Sequence, residues 1–221
     1  MAEKGLAFLL RAPATGIAAT FSATTDKATA TAHGLANGDP VFFTTTGALP
    51  ALVSGTLDPN TVYYAGNVTA NTFSIHPTKT DGVNATNGLD LSDTGSGVHT
   101  ATPLKVIAGL RSNSFTLNGE SVDVSTKDST CQWRELLPGA GQIAMSLSGS
   151  GVFQDNSNVI DLRADCIART AKIYSVVFES GDEYFGLFQV TSVEQGGEHN
   201  GEVTYSVSLE SGGSISLNIN I

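Results

Sequence analysis

The sequence predicts a mainly β protein that contains one helix. Runs of alternating apolar and polar residues recur along the chain, and a clear example is AKIYSVVFES at 171–180. Turn-forming groups such as Asn-Gly and Ser-Gly-Asp separate these runs. Hydrophobic residues make up 40% and charged residues 14% of the 221 positions, a composition typical of a chain that folds around an apolar core.

The longest strand-like runs lie after residue 104. In the run at 171–180 both faces carry apolar side chains, with Ile173 and Val177 on one face and Tyr174 and Val176 on the other. A strand of this kind is expected to be covered on both sides. The segment 156–172 breaks the alternation, because its apolar residues recur at helical spacing. We therefore predict one helix at about 157–169.

The segment 20–103 differs in composition from the rest of the chain. It is rich in Thr, Ala, Gly and Asn, and it holds two lysines against six aspartates. Short strand-like runs alternate there with strong turn signals, and no helical periodicity is visible. We predict an inserted all-β domain of about five strands at 20–103, and a core domain formed by 1–19 and 104–221.

Charge and motif content exclude several classes of protein. Twenty-one acidic residues against eleven basic ones give a net charge of −10, which disfavours a protein that grips phosphates. The apolar run LAFLL at 6–10 is too short to cross a membrane, so we expect a soluble protein. Neither the four histidines nor Cys131 and Cys166 have the spacing of a metal or catalytic site. We expect no catalytic residue, cofactor or metal.

The stretch CQWRELLPGAG at 131–141 belongs to a connection of about twenty residues between two predicted strands. Such long connections in a compact domain are usually functional or disordered, and Trp133, Leu136 and Leu137 are too apolar for disorder. Trp and Arg are enriched at interface hot spots. The residues predict either a protein contact surface or a tryptophan folded back onto its own sheet.

Four motifs follow one another over about 104–213: VIAGLRSNSFTLNGESVDVSTKDS, WRELLPGAG, SLSGSGVFQD and FQVTSVEQGGEHNGEVTYSVSLESGG. Through these motifs, in this order, the chain resembles the major tail protein, or tail tube protein, family of long-tailed bacteriophages and gene transfer agents. LAFLLR at 6–11 is similar to the family's first strand. The segment 20–103 departs from the family, and its HGLANGDPVFF and YYAGNVTANTFSIH resemble a small β module of phage structural proteins.

The resemblance implies a fold of two packed antiparallel sheets, a tail tube β-sandwich or barrel with one flanking helix. It further implies a structural protein, not an enzyme, whose subunits form six-membered rings that stack into a tube. Its partners would be other copies of itself and the tail tip or initiator, tape measure and terminator proteins. DNA would pass through without specific binding, and no membrane is involved. The location implied is the phage tail, assembled in the host cytoplasm.

The same resemblance gives the long connection a role in contacts between subunits. The candidate contact residues are Lys127, Asp128, Trp133, Arg134, Glu135, Leu136, Leu137 and Pro138. In the insert, Tyr63, Tyr64 and Phe73 are candidate sugar-stacking rings, which keeps a carbohydrate-binding or adhesion module open as an alternative. A component that terminates the tube instead of polymerising is a second alternative. A glycosidase would need two carboxylates in a shared pocket, and no motif indicates one.

Overall fold

A computed structural model describes residues 8–107, 110–127, 133–152, 157–178, 180–197 and 202–218. These residues form a mainly β fold, which confirms the predicted fold class. The strands of the core region are β1 (Phe8–Pro13), β10 (Leu110–Gly119), β11 (Val122–Asp123), β12 (Leu136–Leu137), β13 (Ile143–Val152), β14 (Ala171–Phe178), β15 (Glu183–Gly197) and β16 (Val203–Asn218). Those of the insert region are β2 (Ile17–Ser22), β3 (Lys27–Thr29), β4 (Pro40–Thr45), β5 (Ala51–Leu52), β6 (Gly55–Thr56), β7 (Tyr63–Gly66), β8 (Thr72–His76) and β9 (His99–Val106).

The core strands form one antiparallel sheet in the order β10-β13-β16-β15-β14-β1. Four strand spacings would separate β10 from β14 by about 19 Å if this sheet were flat. The rings of Phe115 on β10 and Phe178 on β14 are instead 5.5 Å apart, so the sheet folds over on itself. Bulges in the β15–β16 pairing, at Gly186/Phe188 and Val190/Ser192, mark where the long strands bend. The result is two packed layers joined by β15 and β16.

The main core fills the space between these layers. Its buried residues are Leu10, Ala12, Ile107, Met145, Leu147, Leu162, Tyr174, Val176, Phe188, Val190, Tyr205, Val207 and Leu209. Helix α2 (Ser157–Ala168) contributes Leu162, and its range confirms the helix predicted at 157–169. The buried Asp165 of α2 accepts a hydrogen bond of 3.0 Å from the Tyr174 hydroxyl and forms an ion pair with Lys172. Burial and the nearby Asp165 carboxylate raise the pKa of Tyr174.

The insert region forms a closed six-stranded barrel, whereas we predicted about five strands. Its order is β9-β2-β3-β8-β7-β4, and β4 returns to pair with β9. A separate core fills it, made of Ala, Val, Leu and Ile side chains and the rings of Phe21, Phe43, Tyr63 and Phe73. The barrel strands run from Ile17 to Val106, and β9 pairs also with β1 of the core sheet. The division at residues 20 and 103 into separate domains stays a prediction.

The barrel region also contains a short helix, α1 (Lys79–Asn84), so the expectation that it lacks helices was wrong. The helix depends on capping and close packing more than on periodicity. Thr78 accepts a hydrogen bond of 3.1 Å from the Asp81 amide. A side chain at Gly82 would come within 2.9 Å of the Ala65 carbonyl oxygen, so the glycine lets the helix lie against β7.

A buried polar network, which we call the junction, joins the barrel to the core sheet. The Glu183 carboxylate pairs with the Arg11 guanidinium at 3.2 Å. It also accepts hydrogen bonds from the Tyr64 hydroxyl of the barrel at 3.1 Å and from the Ser175 hydroxyl. Arg11 is 4% and Glu183 1% exposed. Around this network pack Phe42, Val62, Tyr64, Leu104, Ile173 and Phe185.

The junction explains why strand β14 is apolar on both faces. Tyr174 and Val176 point into the main core, while Ile173 packs toward the barrel in the apolar shell of the junction. The β14 layer is therefore covered by the main core on one side and by the barrel on the other, as the alternation predicted. Burial, reinforced by the Glu183 charge, raises the pKa of Tyr64 to about 12. The Tyr64 hydroxyl thus stays protonated and donates to Glu183 at neutral pH.

Replacing Glu183 by Ala should lower the free energy of unfolding by about 3–5 kcal/mol, because it leaves the Arg11 guanidinium buried without a counter-charge. Chemical denaturation at neutral pH measures this loss. Glu194→Ala, on the same strand but outside the junction, is the matched control and should change it by less than about 0.5 kcal/mol. Equal losses in the two variants would contradict the role given to the junction.

A candidate assembly arm and channel face

The described part of the long connection between β10 and β13 contains a pair of short strands, and we call residues 120–127 and 133–142 the arm. Strands β11 and β12 pair through Val122 with Leu137 and Asp123 with Leu136. At its base, the Glu120 amide donates to the Gln142 carbonyl oxygen at 2.9 Å. A side chain at Gly141, whose φ is 98°, would collide with the Glu120 carbonyl oxygen, so the base of the arm requires glycine there. The arm continues the β10–β13 hairpin beyond the body of the sheet.

The apolar side chains of the arm face solvent. Trp133 is 77% exposed, and Leu136 and Leu137 are each nearly half exposed. The structure thus favours a contact surface over a tryptophan folded back on its own sheet. The other candidate contact residues described, Lys127, Arg134, Glu135 and Pro138, are exposed as well, whereas Asp128 lies outside the described residues. An ion pair of 3.0 Å between Arg134 and Asp123 braces the hairpin. The role of these residues in subunit contacts stays a prediction.

The aromatic residues proposed as a sugar-stacking surface are all buried, so that prediction was wrong. Phe73 is fully buried and Tyr63 is 6% exposed, and both belong to the barrel core. Tyr64 is 8% exposed and bonds to Glu183 in the junction. The Thr- and Asn-rich sequence around these rings suggested a polar surface, but closure of the barrel turns the rings inward.

The outer face of the layer formed by β10, β13, β16 and the second half of β15 is covered with hydroxyl groups. The strand registers align rows of side chains across the four strands. The middle row is Ser114, Ser148, Ser208 and Ser192. The row on one side of it is Ser112, Ser150, Ser206 and Glu194, and the row on the other side is Thr116, Ser146, Glu210 and Gln189. We call this surface the hydroxyl face. The opposite face of the same strands carries Met145, Leu147, Val207 and Leu209 of the main core.

The hydroxyl face is grooved and carries no basic side chain within its three rows. Two shallow cavities of about 140 and 250 Å³ lie along these rows, and a third of about 540 Å³ lies at one end. The charged side chains in the three rows are those of Glu194 and Glu210. Arg111 stands at the rim, where it pairs with Glu202 at 2.9 Å. A surface of this kind offers hydrogen bonds but no fixed positive charge to an anionic polymer.

Sequence reasoning did not single out the hydroxyl face, although a signal for it was present. Serines alternate along β13 at 146, 148 and 150 and along β16 at 206 and 208. Alternation places them on one face of each strand, but only the register shows that these faces form one surface. The Arg11–Glu183 pair was missed for a similar reason, because its two members are 172 residues apart.

Other chemistry has little support in the described part of the chain. No group of three or more His, Cys, Asp or Glu residues there could hold a metal ion. His76, which is buried in the barrel, is held by Ser74 at 2.8 Å and the Thr86 carbonyl oxygen at 2.6 Å. Among the described helices, none has the length and apolar character needed to cross a membrane.

The folded sheet, the exposed arm and the polar face define a structural subunit. Residues 90–217, more than half of the chain, match the model of a family described as phage tail tube protein. The chain therefore belongs to the phage tail tube protein family and is a structural component of a phage tail. The matched range includes the arm and the hydroxyl face, whereas barrel strands β2 to β8 lie outside it.

The solved structures that are similar to this chain include two of gene transfer agent particles. The first is the tail of an empty GTA particle, computed with helical refinement and C6 symmetry; it is 36% identical, covers 52% of this chain and 86% of its own, and has a TM-score of 0.49. The second is the virion of a native gene transfer agent particle, also 36% identical, with 52% and 88% covered and a TM-score of 0.49. Comparison with curated proteins finds no match.

A double variant, Trp133→Ala with Leu137→Asp, should fold normally and lose self-association. Both side chains are exposed, so the free energy of unfolding should change by less than about 1 kcal/mol. Leu147→Ala, which empties a buried position, is the contrast and should cost about 2–5 kcal/mol. Chemical denaturation measures the free energy of unfolding, and light scattering measures self-association. Tubes of normal length from the double variant would show that the arm is not an assembly surface.

Proposed function

We propose that this subunit assembles into closed rings that stack to form the tail tube, and that phage DNA passes through the channel during delivery. The observation that carries the proposal is the hydroxyl face, a wide polar surface whose three rows hold no basic side chain, on a sheet whose edge strand β10 has no described partner on one side. Six subunits to a ring are what the family resemblance implies. The subunit would contact other copies of itself, the tail tip or initiator, the tape measure protein and the terminator, after assembly in the host cytoplasm.

The edge of the sheet supports ring formation. Strand β10 pairs with β13 on one side, and on its other side no described strand pairs with it. An exposed edge of ten residues would template aggregation in a protein that stays monomeric. A closed ring pairs every such edge with the neighbouring subunit and leaves none open. The edge is thus more easily understood in an assembling subunit than in a monomeric binding module.

The chemistry of the hydroxyl face suits the wall of a DNA channel. Affinity for DNA comes mainly from basic side chains that neutralise phosphates and release counter-ions. The rows of this face hold hydroxyls and two glutamates, and the whole chain carries a net charge of −10. DNA would therefore contact a hydrated wall whose three rows offer no basic side chain to bind its phosphates. A wall lined with basic side chains would bind the DNA and slow its transfer.

The position of the barrel follows from the same arrangement. The hydroxyl face lies on the outside of one layer, and the junction lies on the outside of the other layer, with the main core between them. If the hydroxyl face lines the channel, the barrel projects from the outer wall of the tube. We therefore propose an external domain for the insert. The buried aromatic rings no longer favour the adhesion alternative.

Lysines placed on the hydroxyl face should make the tube retain DNA. In tubes assembled with short DNA duplexes and then treated with nuclease, the Ser148→Lys, Ser208→Lys variant should protect several-fold more DNA than the wild type. The reason is that two new charges per subunit would line the channel and neutralise phosphates. Protection should decrease as the salt concentration rises.

The matched control places the same charges on the insert region, as Ser54→Lys with Thr56→Lys, at two exposed positions of the β5–β6 hairpin. DNA bound there would remain open to the nuclease. Equal protection in the two variants would contradict the assignment of the hydroxyl face to the channel. Electron microscopy of the same samples verifies that tubes have formed.

A further inference from the structure

A cleft of about 340 Å³ lies between the barrel region and the core sheet, beside the junction. On the barrel side it is lined by Tyr64 and by the segment 77–80, which leads into α1. On the sheet side the lining includes a row of side chains that the strand registers align across β1, β14, β15 and β16. That row is Leu9, Val177, Glu183 and Asn218. A cleft of this volume lies at the lower end of the range typical of small-molecule sites.

The guanidinium of Arg11, which also lines the cleft, is only partly paired. Its Nη1 donates to Glu183 at 3.2 Å, but its buried Nε has no hydrogen-bond partner among the described residues. A buried donor without a partner destabilises the protein, and the cost is larger when the donor belongs to a charged group. An acceptor atom bound in the cleft beside Arg11 would satisfy this guanidinium.

The charged groups of the cleft leave donors, and not acceptors, available to a ligand. Glu183 Oε1 already accepts hydrogen bonds from Arg11 and Ser175, and Glu183 Oε2 accepts one from Tyr64. Lys79, which is exposed, adds an ammonium group to the lining. An ammonium group only donates hydrogen bonds, as does a guanidinium. A ligand that pairs with these groups must therefore supply acceptor atoms.

The charges of the lining favour a ligand with one negative charge. Arg11 and Lys79 are cationic and Glu183 is anionic, so two positive charges and one negative charge give the lining a net charge of +1. The chain as a whole carries a net charge of −10, which makes this a local positive site on an acidic protein. A carboxylate would neutralise the site, whereas a doubly charged phosphate would leave a negative charge beside Glu183.

Apolar side chains supply another part of the lining. Leu9 and Val177 lie side by side on neighbouring strands, and Pro77 belongs to the wall on the barrel side. Leu9 is 43% exposed, although its strand β1 is paired on both sides. An apolar group of a ligand would remove this surface from water, which favours binding. The lining thus suits a molecule with an anionic end and an apolar end.

We propose that this cleft binds a small amphipathic carboxylate. The carboxylate accepts hydrogen bonds from the Arg11 guanidinium and the Lys79 ammonium group, and the apolar part of the ligand lies against Leu9 and Val177. This is a ligand-binding function in addition to assembly. It does not depend on the formation of tubes, because every lining residue belongs to one chain.

Isothermal titration calorimetry of the full chain with hexanoate tests the site. We expect saturable binding of one hexanoate per chain. Methyl hexanoate, which lacks the charge, and acetate, which lacks the apolar chain, should each bind at least roughly tenfold more weakly. Equal affinities for hexanoate and its methyl ester would overturn the proposal, because the charged groups would then contribute nothing.

Free acids and peptide C-termini both carry a carboxylate, and a further titration distinguishes them. N-acetylisoleucine has the carboxylate of a peptide C-terminus together with an amide group and a branched apolar side chain. Tighter binding of N-acetylisoleucine than of hexanoate would support a peptide C-terminus as the ligand, and weaker binding would support a free acid. Absence of binding by both compounds at millimolar concentrations would overturn the proposal.

Two variants at exposed positions locate the binding in the cleft without disturbing the junction. Thr80→Trp places a large ring in the lining and should weaken hexanoate binding at least roughly tenfold. Lys79→Ala should weaken it roughly threefold, since the charge of an exposed lysine is screened by water. Lys105→Ala, which removes an exposed charge outside the lining, is the matched control and should leave the affinity unchanged. Wild-type affinity in the Thr80→Trp variant would show that hexanoate binds elsewhere and would overturn the proposal.

Discussion

The buried carboxylate of Glu183 is the point on which the arrangement of the molecule depends. It pairs with Arg11 and accepts hydrogen bonds from Ser175 in the same layer and from Tyr64 of the barrel. A buried charge without these partners would cost several kcal/mol, so the barrel and the core sheet must stay in this relation for the network to be satisfied. The barrel is thereby fixed to the sheet and does not hang from a flexible linker.

Because the barrel is attached to one layer, the hydroxyl face on the other layer remains exposed. The two layers share the main core, so one side of the subunit carries the barrel and the opposite side carries rows of serine and threonine. Along the strand direction, the arm projects from one end and α2 covers the other. The subunit thus has two different sides and two different ends, as the proposed stacked ring requires.

The sequence predicted local features well and long-range ones poorly. The helix at 157–168 and the two-sided strand at 171–178 follow from periodicity, which depends only on neighbouring residues. The Arg11–Glu183 pair, the serine rows and barrel closure depend on strand pairing between distant segments, which periodicity does not encode. The polar sequence around Tyr63 and Phe73 did not indicate that they are buried, because their burial also depends on closure of the barrel. The sequence left open whether Trp133 is exposed or folded back on its own sheet, and the structure shows that it is 77% exposed.

Negative-stain electron microscopy of the purified wild-type protein over a concentration series, with light scattering on the same samples, tests the central claim most directly. The account predicts that rings or hollow tubes of uniform width appear above a threshold concentration, because pairing of the exposed β10 edge depends on a second copy. A folded monomer at every concentration would contradict the claim that this chain carries its own assembly surfaces.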